Sequence, residues 1–176
     1  PAPGSLALLR DFNNAGGTLL IVPDSAGRGV IALAEAMSLP LPRGWIRENG
    51  QVSHVQWKHP LFQGVFRHVP SNIDWPAYDR LLDRPRSLDE DVIAIAANGL
   101  PYWSVLSNEA DRGGDIHWLA TPLETGNLTR HGLFVPLILR VAQSARNVQS
   151  HSLTLGKDLA LVIPVSSDND NSRSAD

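Results

Sequence analysis

The residues with most chemical promise are Asp24 and Ser25, at the end of the stretch Gly16-Gly17-Thr18-Leu19-Leu20-Ile21-Val22-Pro23-Asp24-Ser25-Ala26-Gly27. A short apolar run ends there in a turn, and the pattern predicts a helix over Val30 to Met37 leaving it. In open α/β sheets, ligands and nucleophiles sit beyond the carboxyl ends of the strands, so this turn is where chemistry belongs. Pro23-Asp24-Ser25-Ala26-Gly27 follows in outline the nucleophile-elbow pattern G-x-S-x-G, with Ser25 as the nucleophile. Pro23 departs from it, because the first position needs a small residue for the tight turn. A serine nucleophile also needs a base, and a hydrolase would draw it from His59, His117 or His131. The ordinary use of Asp and Ser after a strand is to cap the next turn or helix.

Other chemistries find less support. The chain has no cysteine, which removes disulfides, thiolate metal sites and a cysteine nucleophile. His54 and His59 are not at a spacing that places two imidazoles on one helical face, and no acids flank them in a ligand pattern. No metal or cofactor is therefore expected, and His59 before Pro60 reads as a loop-shaping residue. Gly27-Arg28-Gly29 lies at a helix start, where amides favour anions, but no P-loop lysine follows. Trp103 and Trp118 fall in strands and read as core, whereas Trp45, Trp57 and Trp75 lie in loop-rich stretches and could line a groove. A small-molecule or glycan site at the Asp24–Gly29 turn, walled by one of them, is a further reading.

The elements that must position these residues follow from pattern and composition. The 176 residues suit one domain with a sizeable core, and 43% hydrophobic and 19% charged residues are the proportions of a globular protein. A formal net charge of -3 argues against nucleic acid as a partner. Arg80, Arg84 and Arg86 alternate with Asp79, Asp83 and Asp89 and read as a solvated polar loop. The spacing predicts a helix over Ser5 to Asn14, with Leu6, Leu9 and Phe12 on its apolar face, Ser5 as N-cap and Gly16-Gly17 as its stop. Thr18 to Val22 reads as a strand covered on both faces. Trp45 to Trp57 reads as one or two edge strands turning at Glu48-Asn49-Gly50, and Val69 to Arg86 as irregular. Val92 to Ala97 and Leu100 to Leu106 make the clearest hairpin, followed by a strand over Asp115 to Ala120. Leu128 to Ala145 reads as a helix that either starts near Gly132-Leu133 or is kinked at Pro136. A strand pair, Ser152 to Leu155 and Leu159 to Val165, precedes a polar tail over 166–176.

Helix–strand–helix, then hairpins, then helix and strands describes a three-layer α/β sandwich with an antiparallel extension. It is expected as a single domain over 1–165. No apolar run is long enough to span a bilayer, and no signal peptide is visible. The start at Pro1, directly on a helix, suggests a domain cut from a longer protein, with the first strand or strands of its sheet upstream.

Four segments in order carry a family resemblance. They are the helix with Gly16-Gly17 and its strand, then His59-Pro60-Leu61-Phe62-Gln63-Gly64-Val65-Phe66, then Gly114 to Leu123, and then His131-Gly132-Leu133-Phe134-Val135-Pro136-Leu137. Together, over about residues 5 to 165, the chain resembles class I glutamine amidotransferase-like domains. The branch is the one found near the C-terminus of bacterial membrane proteins of the Bat-type, aerotolerance-related kind. The resemblance implies a flavodoxin-like sheet. It also implies that the family's nucleophilic cysteine falls at the turn holding Asp24 and Ser25. The family's His-Pro-Glu falls at Thr121-Pro122-Leu123-Glu124, with Thr121 in place of the base. Asp24, Ser25, Thr121 and Glu124 are thus expected to be the remains of a lost catalytic site. The implied function is a non-catalytic, extracytoplasmic interaction or scaffolding domain of a membrane-anchored protein, periplasmic or on the cell surface. Its partners would be proteins or other domains of the same polypeptide, and it would not itself insert into the membrane. A serine hydrolase using Ser25 is the alternative.

Overall fold

The structure is a computed structural model of the chain, and it describes residues 3–66, 74–107 and 113–144. Three helices surround a six-stranded sheet: α1 (Pro3–Asn14), α2 (Arg28–Ala36) and α3 (Phe134–Ser144). The strands are β1 (Leu19–Ile21), β2 (Gly44–Val55), β3 (Ala77–Asp83), β4 (Glu90–Ala96), β5 (Pro101–Leu106) and β6 (Ile116–Leu119). Their order is β1-β6-β5-β4-β2-β3. Only β1 and β6 run parallel, and the other pairs are antiparallel. The chain is thus an α/β sandwich on a mixed open sheet, as its alternation of elements predicts.

Alternate residues of β6 show how the layers are arranged. Ile116 lines a cleft with α1 and α2, and its neighbour His117 lines one with α3. Strand side chains alternate between faces, so α1 and α2 cover one face and α3 the other. Cover on both faces explains why all six residues of β5 and all four of β6 are buried. Leu133, just before α3, and Leu137 and Val141 within it recur at helical spacing on the buried side. Pro136 falls in the first turn of that helix, where its missing N–H costs nothing.

Several expectations need correction. The helix α1 begins at Pro3, so Ser5 lies inside it rather than at its N-cap. Its apolar residues are not buried: Leu8 is 71% and Phe12 52% exposed, the Phe12 ring lying over Gly17. Asn49-Gly50 makes no hairpin. β2 runs straight through it, with one extra residue between Arg47 and Gly50 relative to β3. The first half of β2 pairs with β3 and its end with β4, and these long-range partners outweigh a local turn. A Cβ at Gly50 would lie 2.5 Å from the Tyr78 hydroxyl, so glycine is there to let that ring pack. β3 itself lies within the stretch read as irregular. The strand pair over 152–165 and the tail over 166–176 lie outside the described residues.

Arg84 is the largest departure at the level of a single side chain. It is buried rather than solvated, and it forms a two-pronged pair with Glu90, Nη1 to Oε2 at 2.9 Å and Nη2 to Oε1 at 2.5 Å. Its guanidinium also donates to the Ser104 hydroxyl and stacks 4.7 Å from the Trp118 ring centroid. Burial pushes the Glu90 carboxyl up, but the bonds from Arg84 and Ser104 outweigh it and hold the group below its ordinary range. This pair ties the segment after β3 to β4 and β5.

Candidate functional site

The turn after β1 is built as a self-contained knot of hydrogen bonds. The Gly27 N–H donates to the Asp24 carboxylate at 2.5 Å and to the Asp24 carbonyl at 3.0 Å. Asp24 therefore closes the turn that leads into α2. Gly27 has φ 72°, and a Cβ there would lie 2.9 Å from Nε1 of Trp45, so glycine is required on both counts. Ser25 is exposed, and its backbone N–H donates to Oε1 of Glu124 at 3.0 Å. The Glu124 carboxyl is held below its ordinary value, first by a hydrogen bond from its own backbone N–H and then by those from Ser25.

The structure thus places Asp24 and Ser25 on one turn with Glu124 bonded to it. Thr121 lies at the end of β6, fully buried, with its hydroxyl unpartnered. Among the described residues, no imidazole nitrogen is hydrogen-bonded to Ser25. Two of the histidines named for the hydrolase, His59 and His131, are engaged elsewhere. Nδ1 of His59 accepts from the Leu61 N–H at 3.1 Å and caps the single 3-10 turn over Pro60–Phe62. His131 accepts from the Leu133 N–H at the start of α3. The third, His117, projects from near the amino end of β6 towards α3.

A second polar cluster lies at the opposite end of the sheet. β1 and β6 are parallel, with Leu19 beside Ile116 and Ile21 beside Trp118, so the elbow sits at their carboxyl ends. His117 and Asp115 stand at the amino end of β6, beside Ser107 at the end of β5 and Asp91 at the start of β4. With His59, Leu61 and Arg140 they line a cavity of about 420 Å³. The Asp115 carboxylate accepts from the Ser107 hydroxyl at 2.8 Å. The Nδ1 of His59 is occupied as an acceptor, so its proton is on Nε2, 3.5 Å from Asp91 Oδ2. His117 is 2% exposed, and neither of its ring nitrogens has a partner among the described residues. Burial drives its pKa down to about 4 against the raising effect of Asp115, so the ring is neutral at pH 7. Histidine counting in the sequence names His59 and His117 but gives no sign that β6 and the 3-10 turn bring them to one cavity.

The aromatic residues of the loop-rich stretches also cluster. Trp57 packs against Phe62 at 5.1 Å, Phe66 at 5.7 Å and Trp75 at 6.3 Å between centroids. Trp45 covers Gly27 at the elbow, and Trp103 and Trp118 are buried in the sheet. No helix among the described residues is long and apolar enough to cross a membrane.

Compared with known proteins, the chain matches no family model and no curated protein. Two solved structures share its fold. One is Cytoplasmic Protein STM3548 from Salmonella typhimurium, at 16% identity and a TM-score of 0.59, covering 80% of this chain and 60% of that one. The other is Cytoplasmic Protein STM1381 from Salmonella typhimurium LT2, at 16% identity and a TM-score of 0.57, covering 81% and 61%. The chain therefore spans about 60% of the length of each. At such identity the likeness is one of fold. It corrects one expectation, the periplasmic or cell-surface placement. That placement rested on a family resemblance, and both proteins that share the fold are named cytoplasmic.

Proposed function

We propose that the chain is a non-catalytic domain of the glutamine amidotransferase-like kind, serving as an interaction or scaffolding module of a larger protein. The observation that carries this reading is the 3.0 Å bond from the Ser25 N–H to the Glu124 carboxylate. An acyl-transfer elbow keeps the backbone N–H groups near its nucleophile open for a developing oxyanion. If the family's nucleophile falls at position 24, the donor that follows it is the Ser25 N–H, and here the Glu124 carboxylate occupies it. Asp24 takes the N–H of Gly27 in the same way. A hydroxyl nucleophile further needs a base to accept its proton, and the position corresponding to the family's histidine is the buried Thr121.

The test is a fluorophosphonate probe on purified protein, together with ammonia release from glutamine. No labelling and no ammonia above a buffer blank are expected, for the native chain and for Glu124→Gln alike. Labelling that disappears in Ser25→Ala would overturn the reading and restore the serine hydrolase.

A further inference from the structure

The geometry points to the cavity between β4, β5, β6 and α3 as a binding site for a small zwitterion of amino-acid size, its amine on the Asp91 and Asp115 side and its carboxylate on Arg140. This does not depend on the state of the elbow, which lies at the other end of β6.

The cavity is polarised. The strands contribute two carboxylates, Asp91 and Asp115, and α3 contributes one guanidinium, Arg140. Arg140 is not locked in an ion pair. Among the described residues its hydrogen-bond partners are neutral, the Gln63 carbonyl and the Gln143 amide oxygen, and no carboxylate is bonded to it. Asp91 lies beside His59, and Asp115 is steadied by Ser107. With its amide nitrogen turned towards Asp91, Gln56 adds a bond of 3.0 Å that orients the carboxylate. Two carboxylates and one guanidinium lining the same cavity favour a dipolar ligand over a simple anion or a simple cation.

His117, on the wall of this cavity, is one of the buried polar groups without a partner among the described residues. A neutral imidazole carries one donor and one acceptor. Its ring nitrogens are buried in the cavity wall, so the ring reports on what occupies the cavity beside it. The apolar walls, Leu61 and Val105, would cover the carbon skeleton of such a ligand. A volume of about 420 Å³ admits an amino acid with its side chain. A metal ion fits less well, because among the described residues no three His, Asp or Glu are grouped to hold one.

The experiment follows the His117 ring nitrogens by NMR in protein carrying ¹⁵N-labelled histidine. The probes are L-serine, L-asparagine and L-methionine. Ethanolamine and acetate serve as amine-only and carboxylate-only controls, and Zn²⁺ as the competing class. At least one amino acid is expected to shift these resonances saturably, with a Kd on the order of 1 mM or tighter. Both controls should bind more weakly, and Asp115→Asn and Arg140→Gln should each weaken binding roughly tenfold. Both substituted side chains are only partly buried, so the variants should fold, and unchanged circular dichroism confirms it. The proposal falls if no amino acid gives a saturable shift. It falls equally if acetate binds as well as the amino acids, if Zn²⁺ alone saturates the same resonances, or if both folded variants bind as the native chain does.

Discussion

Protonating His117 in the folded state would place a charge where almost no water reaches, whereas the unfolded chain pays no such penalty. Burial lowers its pKa from 6.5 to about 4, so the unfolded state takes up a proton first as the solution is acidified. Its contribution to stability is complete above pH 6.5 and is lost as pH falls towards 4, amounting to about 3 kcal/mol across that window. His59, also lowered by burial, adds in the same direction. Glu90 acts in a lower window, since its carboxyl is held below the ordinary carboxylate range. Denaturant unfolding at pH 7 and at pH 4.5 should therefore show a marked acid loss in the native chain and a much smaller one in His117→Phe. Equal losses in the two proteins would refute the assignment to His117. Neither His117 nor Arg84 is legible as buried in the sequence. A histidine between Ile116 and Trp118 reveals its strand but not that α3 will cover it. Arg84 among alternating charges looks solvated, because its partners Glu90 and Ser104 come together only when β4 and β5 pair.

At the scale of elements, the junction of α1, β1 and β6 rests on close backbone approach. The Asn13 side chain donates to the Gly17 carbonyl at 2.9 Å and to the Gly114 carbonyl at 2.8 Å, and the Gly114 N–H donates back to the Asn13 carbonyl at 2.7 Å. A Cβ on Gly114 would stand 2.2 Å from the Gly17 carbonyl oxygen, which is backbone and cannot swing aside. Gly114→Ala should thus cost several kcal/mol, of the order of other overpacked or strained sites, roughly 1–3 kcal/mol or more. Gly132→Ala, where nothing lies within 4 Å of a new Cβ, should change the melting temperature little. Similar melting temperatures for the two variants would mean that the approach at Gly114 is looser than described. The Gly16-Gly17 stop and the strand after it were readable because helix caps and apolar runs are local signals. β3 was not, because its apolar positions are spaced by Asp79, Arg80 and Asp83 and its strand character comes from pairing with β2. Asn49-Gly50 misled for the same reason in reverse, a strong local turn signal overridden by partners on both sides.

For the whole molecule, the helix–strand alternation at the start and the hairpin β4–β5 carried enough information for the α/β sandwich, but not for the order of its strands. That order is set by long-range contacts: β1 bypasses every strand before β6, and β2 divides its length between β3 and β4. It also sets where the sheet is firm. Among the described residues, β5 is paired on both sides and buried on both faces, while β1 is three residues long and paired only with β6. The helix beside β1 leaves most of Leu8 and half of Phe12 exposed, so its apolar cover of that margin is partial. Local opening is easiest where buried contacts are few, and amide exchange reports it residue by residue. The amides of Tyr102 to Val105 should exchange slowest in the protein, at rates set by global unfolding. Those of Leu19 to Ile21 should open through a cheaper, local event whose rate responds weakly to denaturant. Exchange at β1 as slow as at β5, and equally sensitive to denaturant, would mean that the outer edge of β1 is paired in solution and that this ordering of stability is wrong.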